Sequence, residues 1–209
     1  MKELESFFDK QINEHQLVVE KSRNLLMNSF IRAVNICTDS LKENKKILFF
    51  GNGGSASDAQ HLSTELSVRF SKNRPAIAAI SLVTDTSALS AIGNDFGFEF
   101  LFSRQIEAIG STGDVAIGIS TSGKSENVIN GLKIARKMGL KCLALTGKHT
   151  ENLIQFCDEV ISIPAENTSR IQEMHIMYGQ MLCNAIEFKL NLAPDRKSTR
   201  LNSSHRCIS

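Results

Sequence analysis

A chain of 209 residues with 42% apolar content is long enough for one α/β domain with an ordinary core, and one domain is the default expectation. Its formal charge of +2 is weak ground for an anionic partner, and the residues that carry it sit at one end. After Pro194 the stretch DRKSTRLNSSHRCIS lacks apolar periodicity, is rich in Ser and Arg, and back-translates to a sequence resembling sequencing-adapter read-through. Setting it aside removes Arg196, Lys197, Arg200 and Arg206 against the single acid Asp195, which turns +2 into −1. The case for nucleic-acid binding by bulk charge goes with it. The expected organisation is one domain over 1–194 and a non-native tail over 195–209.

Cys37, Cys142, Cys157 and Cys183 show no CxxC spacing and read as buried free thiols, while Cys207 falls in the tail. No N-terminal signal pattern and no apolar run of membrane-spanning length is present, so a cytoplasmic location without membrane contact is expected. In chain order, residues 3 to 44 place Leu4, Phe7, Phe8, Ile12 and then Leu25, Leu26, Phe30, Ile31 and Val34 at spacings of three and four. That pattern predicts two helices, an N-terminal hairpin, before any strand. From Lys46 short apolar runs alternate with helical segments: ILFF, AIAAISLV after Pro75, VAIGIS, KCLALTG and EVISIP. Five strands with crossovers of that length require parallel pairing, which gives a doubly wound α/β sheet with helices on both faces, a flavodoxin-like three-layer sandwich. Ligands then bind at the carboxyl ends of the strands. A last helix from about Ser169 to Leu190 carries Ile171, Met174, Met177, Met181, Leu182 and Ile186 on more than one face, so burial between subunits is expected.

Three elements fall at strand ends. Gly51-Asn52-Gly53-Gly54-Ser55-Ala56 matches a GxGxxA dinucleotide loop, for which Asp85 could supply the ribose acid; it also suits a plain tight turn into a helix. Gly118 to Ser125, GISTSGKS, fits GxxxxGK[ST] letter for letter, but Gly118 lies inside an apolar run that should be strand, and later strands end without a magnesium-binding aspartate. What remains is the hydroxyls of Ser120, Thr121, Ser122 and Ser125 around Gly123 at a helix N-terminus, which suits one phosphate monoester, or helix capping alone. Third, His61 and Glu65 lie about 40° apart around one helix and could share a proton or a metal, while Gln172, Glu173 and His175 place polar groups on the apolar last helix.

GNGGSASDAQH, TDTSALSAIGNDFGFEFLFSRQIEA, GISTSGKSENV and TSRIQEMHI, in that order, resemble the phosphoheptose isomerases of the SIS (sugar isomerase) family over residues 1 to about 193. The resemblance implies a homotetramer with active sites between subunits. The implied reaction converts sedoheptulose 7-phosphate to D-glycero-D-manno-heptose 7-phosphate, on the way to lipopolysaccharide or capsule heptose. In that pattern Asn52, Gly53, Gly54, Ser55, Asn94, Asp95 and Gln172 bind the phosphorylated seven-carbon sugar, and Ser120, Thr121, Ser122 and Ser125 hold its phosphate. His61, Glu65 and Gln172 match ligands of a zinc site, with Glu65 also the acid/base. Where the family has a histidine as fourth ligand and second acid/base, this chain has Gln180. An amide oxygen is a poorer zinc ligand than imidazole and shuttles no protons near neutral pH. His175 is no obvious substitute, because it turns about −60° from Gln172 whereas Gln180 turns about +80°. The expected chemistry is enediol isomerisation in which Glu65 moves the carbon proton and a bound cation, or Gln180 as neutral donor, polarises the carbonyl. The alternative is a non-catalytic SIS module resembling the protein that associates with the replication initiator DnaA. It too lacks the histidine, but is expected to lack the glutamate as well.

Overall fold

The computed structural model describes residues 2–71 and 73–192, so the expected non-native tail lies outside the described residues. The chain opens with a single 41-residue helix, α1 (Lys2–Lys42), in place of the expected hairpin. The reason is local: nothing between Ile12 and Leu25 breaks a helix, since there is neither Gly nor Pro, and Leu17, Val18 and Val19 carry the apolar stripe across the gap. Acids in the first turn and Lys42 in the last suit the helix dipole, and Asn44 in the left-handed region (φ 60°) ends it.

The sheet follows as β1 (Ile47–Gly51), α2 (Gly54–Ser67), β2 (Ala79–Ser81), α3 (Thr86–Asp95), a 3-10 turn (Phe98–Phe100), α4 (Ser103–Ile109), β3 (Val115–Ser120), α5 (Glu126–Lys137), β4 (Lys141–Thr146), β5 (Glu159–Ser162) and α6 (Thr168–Leu190). Every strand pairing is parallel and the order is β2-β1-β3-β4-β5. β2 is shorter than the eight-residue apolar run suggests. Only one strand pairs with it, and Ile77 just before it bonds its N–H to Leu66 of α2 (3.1 Å), outside the ladder. Between β4 and β5 the link is a series of turns about Thr150 to Phe156, not a helix.

Alternation along the strands sorts two cores. Ile47 and Phe49 of β1 and Val115, Ile117 and Ile119 of β3 face α1, α2 and α6; Leu48, Phe50 and Ala116 face α4 and α5. Asp114 fixes the start of β3 by accepting from the Lys46 N–H (3.0 Å) and pairing with its Nζ (2.5 Å). In this strand order the chain reverses winding between β1 and β3, and the crevice outside their carboxyl ends is where such sheets bind ligands.

Candidate active site

Both expected loops open on that crevice. β1 runs into Gly51, where an added Cβ would stand 2.7 Å from the Ile119 carbonyl of β3 and 2.8 Å from Ser55 Cβ, so only glycine fits. α2 then starts at Gly54 with Gly53 (φ 55°) as its N-cap, without a side-chain cap or an acid in its first turn. On the other side β3 passes straight through Gly118, whose missing Cβ makes room for Val128 and Leu132 of α5; this glycine serves packing and not a nucleotide-wrapping loop. Gly123 (φ 64°) bends the loop so tightly that a Cβ would collide with the His149 carbonyl. The N-cap of α5 is Ser125, and its hydroxyl makes no capping bond; it accepts from Ser120 Oγ at 3.1 Å, with Ser122 Oγ 3.4 Å from Ser120. Two helices thus turn N-termini without side-chain caps to one crevice, an arrangement suited to an anion. Asp85 caps α3, accepting from the Ala88 N–H at 2.9 Å, which occupies the carboxylate that a dinucleotide reading would need for a ribose.

The two loops are tied together. Asn52 Nδ2 donates to Asn127 Oδ1 at 2.8 Å, and Asn127 Nδ2 returns a bond to Asn52 Oδ1 at 2.9 Å. The Asn52 amide expected to face sugar is therefore engaged by the first turn of α5.

One, two and three turns along, α2 presents Asp58, His61 and Glu65 to α6. The helices approach closely where Leu62 meets Gly179, at which a Cβ would lie 2.5 Å from Leu62 Cδ1. That contact brings their sequence neighbours together: Gln180 Nε2 sits 2.5 Å from His61 Nε2, and the same nitrogen is 3.1 Å from Glu65 Oε1. His61 is half exposed and Glu65 largely covered, so the cluster has a solvent-facing side. Gln172 does not join it. Its Nε2 donates to Asp58, while its Oε1 faces Ser55 Oγ at 3.4 Å and the Gly54 backbone. Burial pushes the Asp58 carboxyl up to about 6, with His61 pulling the other way. Of the remaining candidates, Asn94 and Asp95 stand exposed at the end of α3, bonded to each other at 2.7 Å. Glu173 pairs with His15 (2.7 Å) and so joins α6 to α1, and His175 is fully buried in the core.

The chain matches the SIS domain model over residues 10–147. It is 50% identical over 182 residues to the phosphoheptose isomerase of Paramagnetospirillum magneticum, covering 87% of this chain and 95% of that one. It is also 50% identical over 179 residues to that of Campylobacter jejuni, covering 86% of this chain and 96% of that one. Among solved structures, the phosphoheptose isomerase of Neisseria gonorrhoeae superposes with a TM-score of 0.83 at 37% identity, covering 88% of this chain and 98% of that one. The chain belongs to the phosphoheptose isomerases of the SIS domain family.

Set against the zinc site that membership in the phosphoheptose isomerases implies, the donor set here does not fit. His61 and Glu65 meet the amide of Gln180, Gln172 is turned toward Asp58, and no group of three His, Cys, Asp or Glu side chains able to hold a metal is found among the described residues. Sequence reasoning also missed Asp58 and Asn127. A signal existed for each: Asp58 stands one turn before His61, and Asn127 stands two residues after Ser125, at the start of the helix that the serine loop opens.

Proposed function

We propose that this chain is an aldose-ketose isomerase that interconverts sedoheptulose 7-phosphate and D-glycero-D-manno-heptose 7-phosphate for heptose biosynthesis. The observation that carries the reading is the convergence of Glu65, His61 and Gln180 on the helix that begins at the anion-suited crevice. The phosphate rests on Ser120, Thr121, Ser122 and Ser125 at the start of α5, and the sugar runs over the Gly53-Gly54-Ser55 wall toward Glu65 and Gln172. Glu65 takes the proton from C1 of the ketose and returns it to C2 of the enediol, while the hydroxyl proton passes from O1 to O2. His61, held by Glu65, keeps that carboxylate aimed, and Gln180 donates an N–H to the oxygen on which charge develops.

We infer a homotetramer with sites shared between subunits. Exposed Leu4 (74%), Phe7 (61%) and Phe8 (64%) on α1 and Phe188 (80%) on α6 give it apolar surface to bury, and Asn94 and Asp95 would then complete a neighbour's site. The free thiols of the described cysteines suit a reducing cytoplasm. The deciding experiment follows sedoheptulose 7-phosphate by NMR. Wild-type protein should give aldose signals, and Glu65→Gln should abolish them while still binding the phosphosugar. Near-normal turnover in Glu65→Gln, or binding without turnover in the wild type, would overturn the reading, the latter in favour of a non-catalytic module.

A further inference from the structure

A buried ion pair joins the two helices that carry the reactive cluster. The side chains of Arg74 and Glu187 are each only 2% exposed, and Arg74 Nε donates to Glu187 Oε1 at 2.7 Å. The rest of the guanidinium is spent on backbone: Nη2 donates to the carbonyl of Glu65 at 2.9 Å, and Nη1 to those of Leu66 at 2.8 Å and Pro75 at 3.1 Å. α2 ends at Ser67, so the Glu65 and Leu66 carbonyls belong to the last turn, which lacks partners within the helix. Glu187 in turn accepts from the N–H groups of Phe70 (2.9 Å) and Ser71 (3.2 Å) and from the Ser71 hydroxyl (3.1 Å). Burial alone would raise its carboxyl, but these donors and Arg74 outweigh that and hold it below the usual value.

The placement matters more than the pairing. On α6, Glu187 follows Gln180 by about two turns and lies within about 20° of it around the axis. Arg74 reaches from that carboxylate to the main chain of Glu65 itself. A chain of directional bonds therefore runs from the residue that moves the carbon proton, through Arg74 and Glu187, to the helix face that presents Gln180. An apolar pair of similar size would fill the same space, but it would fix neither the rotation nor the height of α2 against α6. The planar guanidinium is what reaches three carbonyls and a carboxylate at once, and an ammonium with its three N–H donors cannot.

We propose that Arg74 and Glu187 are positioning residues for the isomerase reaction, setting Glu65 and His61 on α2 at their working separation from Gln180 on α6. The inference rests on the isomerase reading above.

The test uses the full chain with Arg74→Lys, Glu187→Gln and the neutral double variant R74M/E187M, the last to keep a folded sample if an unpaired charge prevents folding. Turnover of sedoheptulose 7-phosphate is measured below the thermal transition of each variant, and the His61 ring signals are followed by NMR, assigned with His61→Asn. Each folded variant should lose about tenfold or more in kcat with KM changed less than about threefold, the scale expected for misplaced reacting groups. The His61 signals should move. A lowered Tm with kcat unchanged would overturn the proposal and leave the pair a purely structural one. If the wild type proves inactive the isomerase reading fails, and the NMR arm still decides the geometry: His61 signals that stay put in all three variants would overturn it.

Discussion

Gln180 Nε2 lies 2.5 Å from His61 Nε2, on the nitrogen that a metal would have to share. With a carboxylate on the same nitrogen, the imidazole has its polar neighbours without an ion, and a chelator should leave wild-type turnover unchanged. Gln180→His supplies a second imidazole next to His61 and Glu65. It should leave activity equal or higher and bind zinc at least ~10-fold more tightly, measured by competition with a chromophoric chelator. A large loss of activity in Gln180→His would show a site rebuilt around the amide.

The reciprocal amide bonds between Asn52 and Asn127 make the glycine loop after β1 and the serine loop after β3 one unit. Asn127→Ala leaves the Asn52 amide without that partner at a cost of about 1–3 kcal/mol, read from denaturant unfolding. It should also lower kcat/KM by about 10- to 100-fold by letting the two loops move independently. Unchanged kcat/KM would mean that each loop holds its shape alone.

Gly123→Ala should cost about 1–3 kcal/mol, because alanine is strained at φ 64° and its Cβ meets the His149 carbonyl. If the serine loop holds the phosphate as proposed, that strain should remove the binding. Inorganic phosphate should raise the wild-type Tm and leave that of Gly123→Ala where it is.

His175 sits fully buried in α6, and burial pushes its imidazole down to about 4 from 6.5, with the Thr146 backbone opposing. Its folded value lies below its unfolded one, so between them the unfolded chain binds more protons and stability falls as pH falls. The slope from this group approaches ~1.4 kcal/mol per pH unit between pH 6 and 4.5. Asp58, raised to about 6, acts in the opposite sense, favouring the folded state at low pH and losing that contribution as pH rises through 6. Comparing denaturant unfolding of wild type and His175→Leu across pH 4 to 7 cancels the Asp58 contribution. The variant should show the flatter acid limb.

How far the sequence spoke depended on the range of the forces involved. β1 and β3 are continuous apolar runs ending at Gly51 and Ser120, so their local chemistry alone announces buried parallel strands. In sequence the single helix α1 reads as two because the stripe thins between Ile12 and Leu17, although no residue there terminates a helix. Gln180 is legible from its spacing beyond Gln172, but its meeting with His61 depends on Gly179 admitting Leu62, a contact across more than a hundred residues. Arg74 and Glu187 escaped for the same reason. The available hint was an acid at 187 flanked by Cys183, Ile186 and Leu190 on an apolar helix, because a charge set into such a stripe demands a distant partner.

β1 and β3 are buried at every residue, and both ligand loops grow directly from their ends. The strand amides next to the crevice should exchange with deuterium only through global opening, among the slowest in the molecule. The crevice floor then has no low-energy breathing motion of its own. Whatever flexibility the catalytic cycle needs must come from outside the two strands, as from α3 or the turns around Thr150, and heat should abolish activity and fold together.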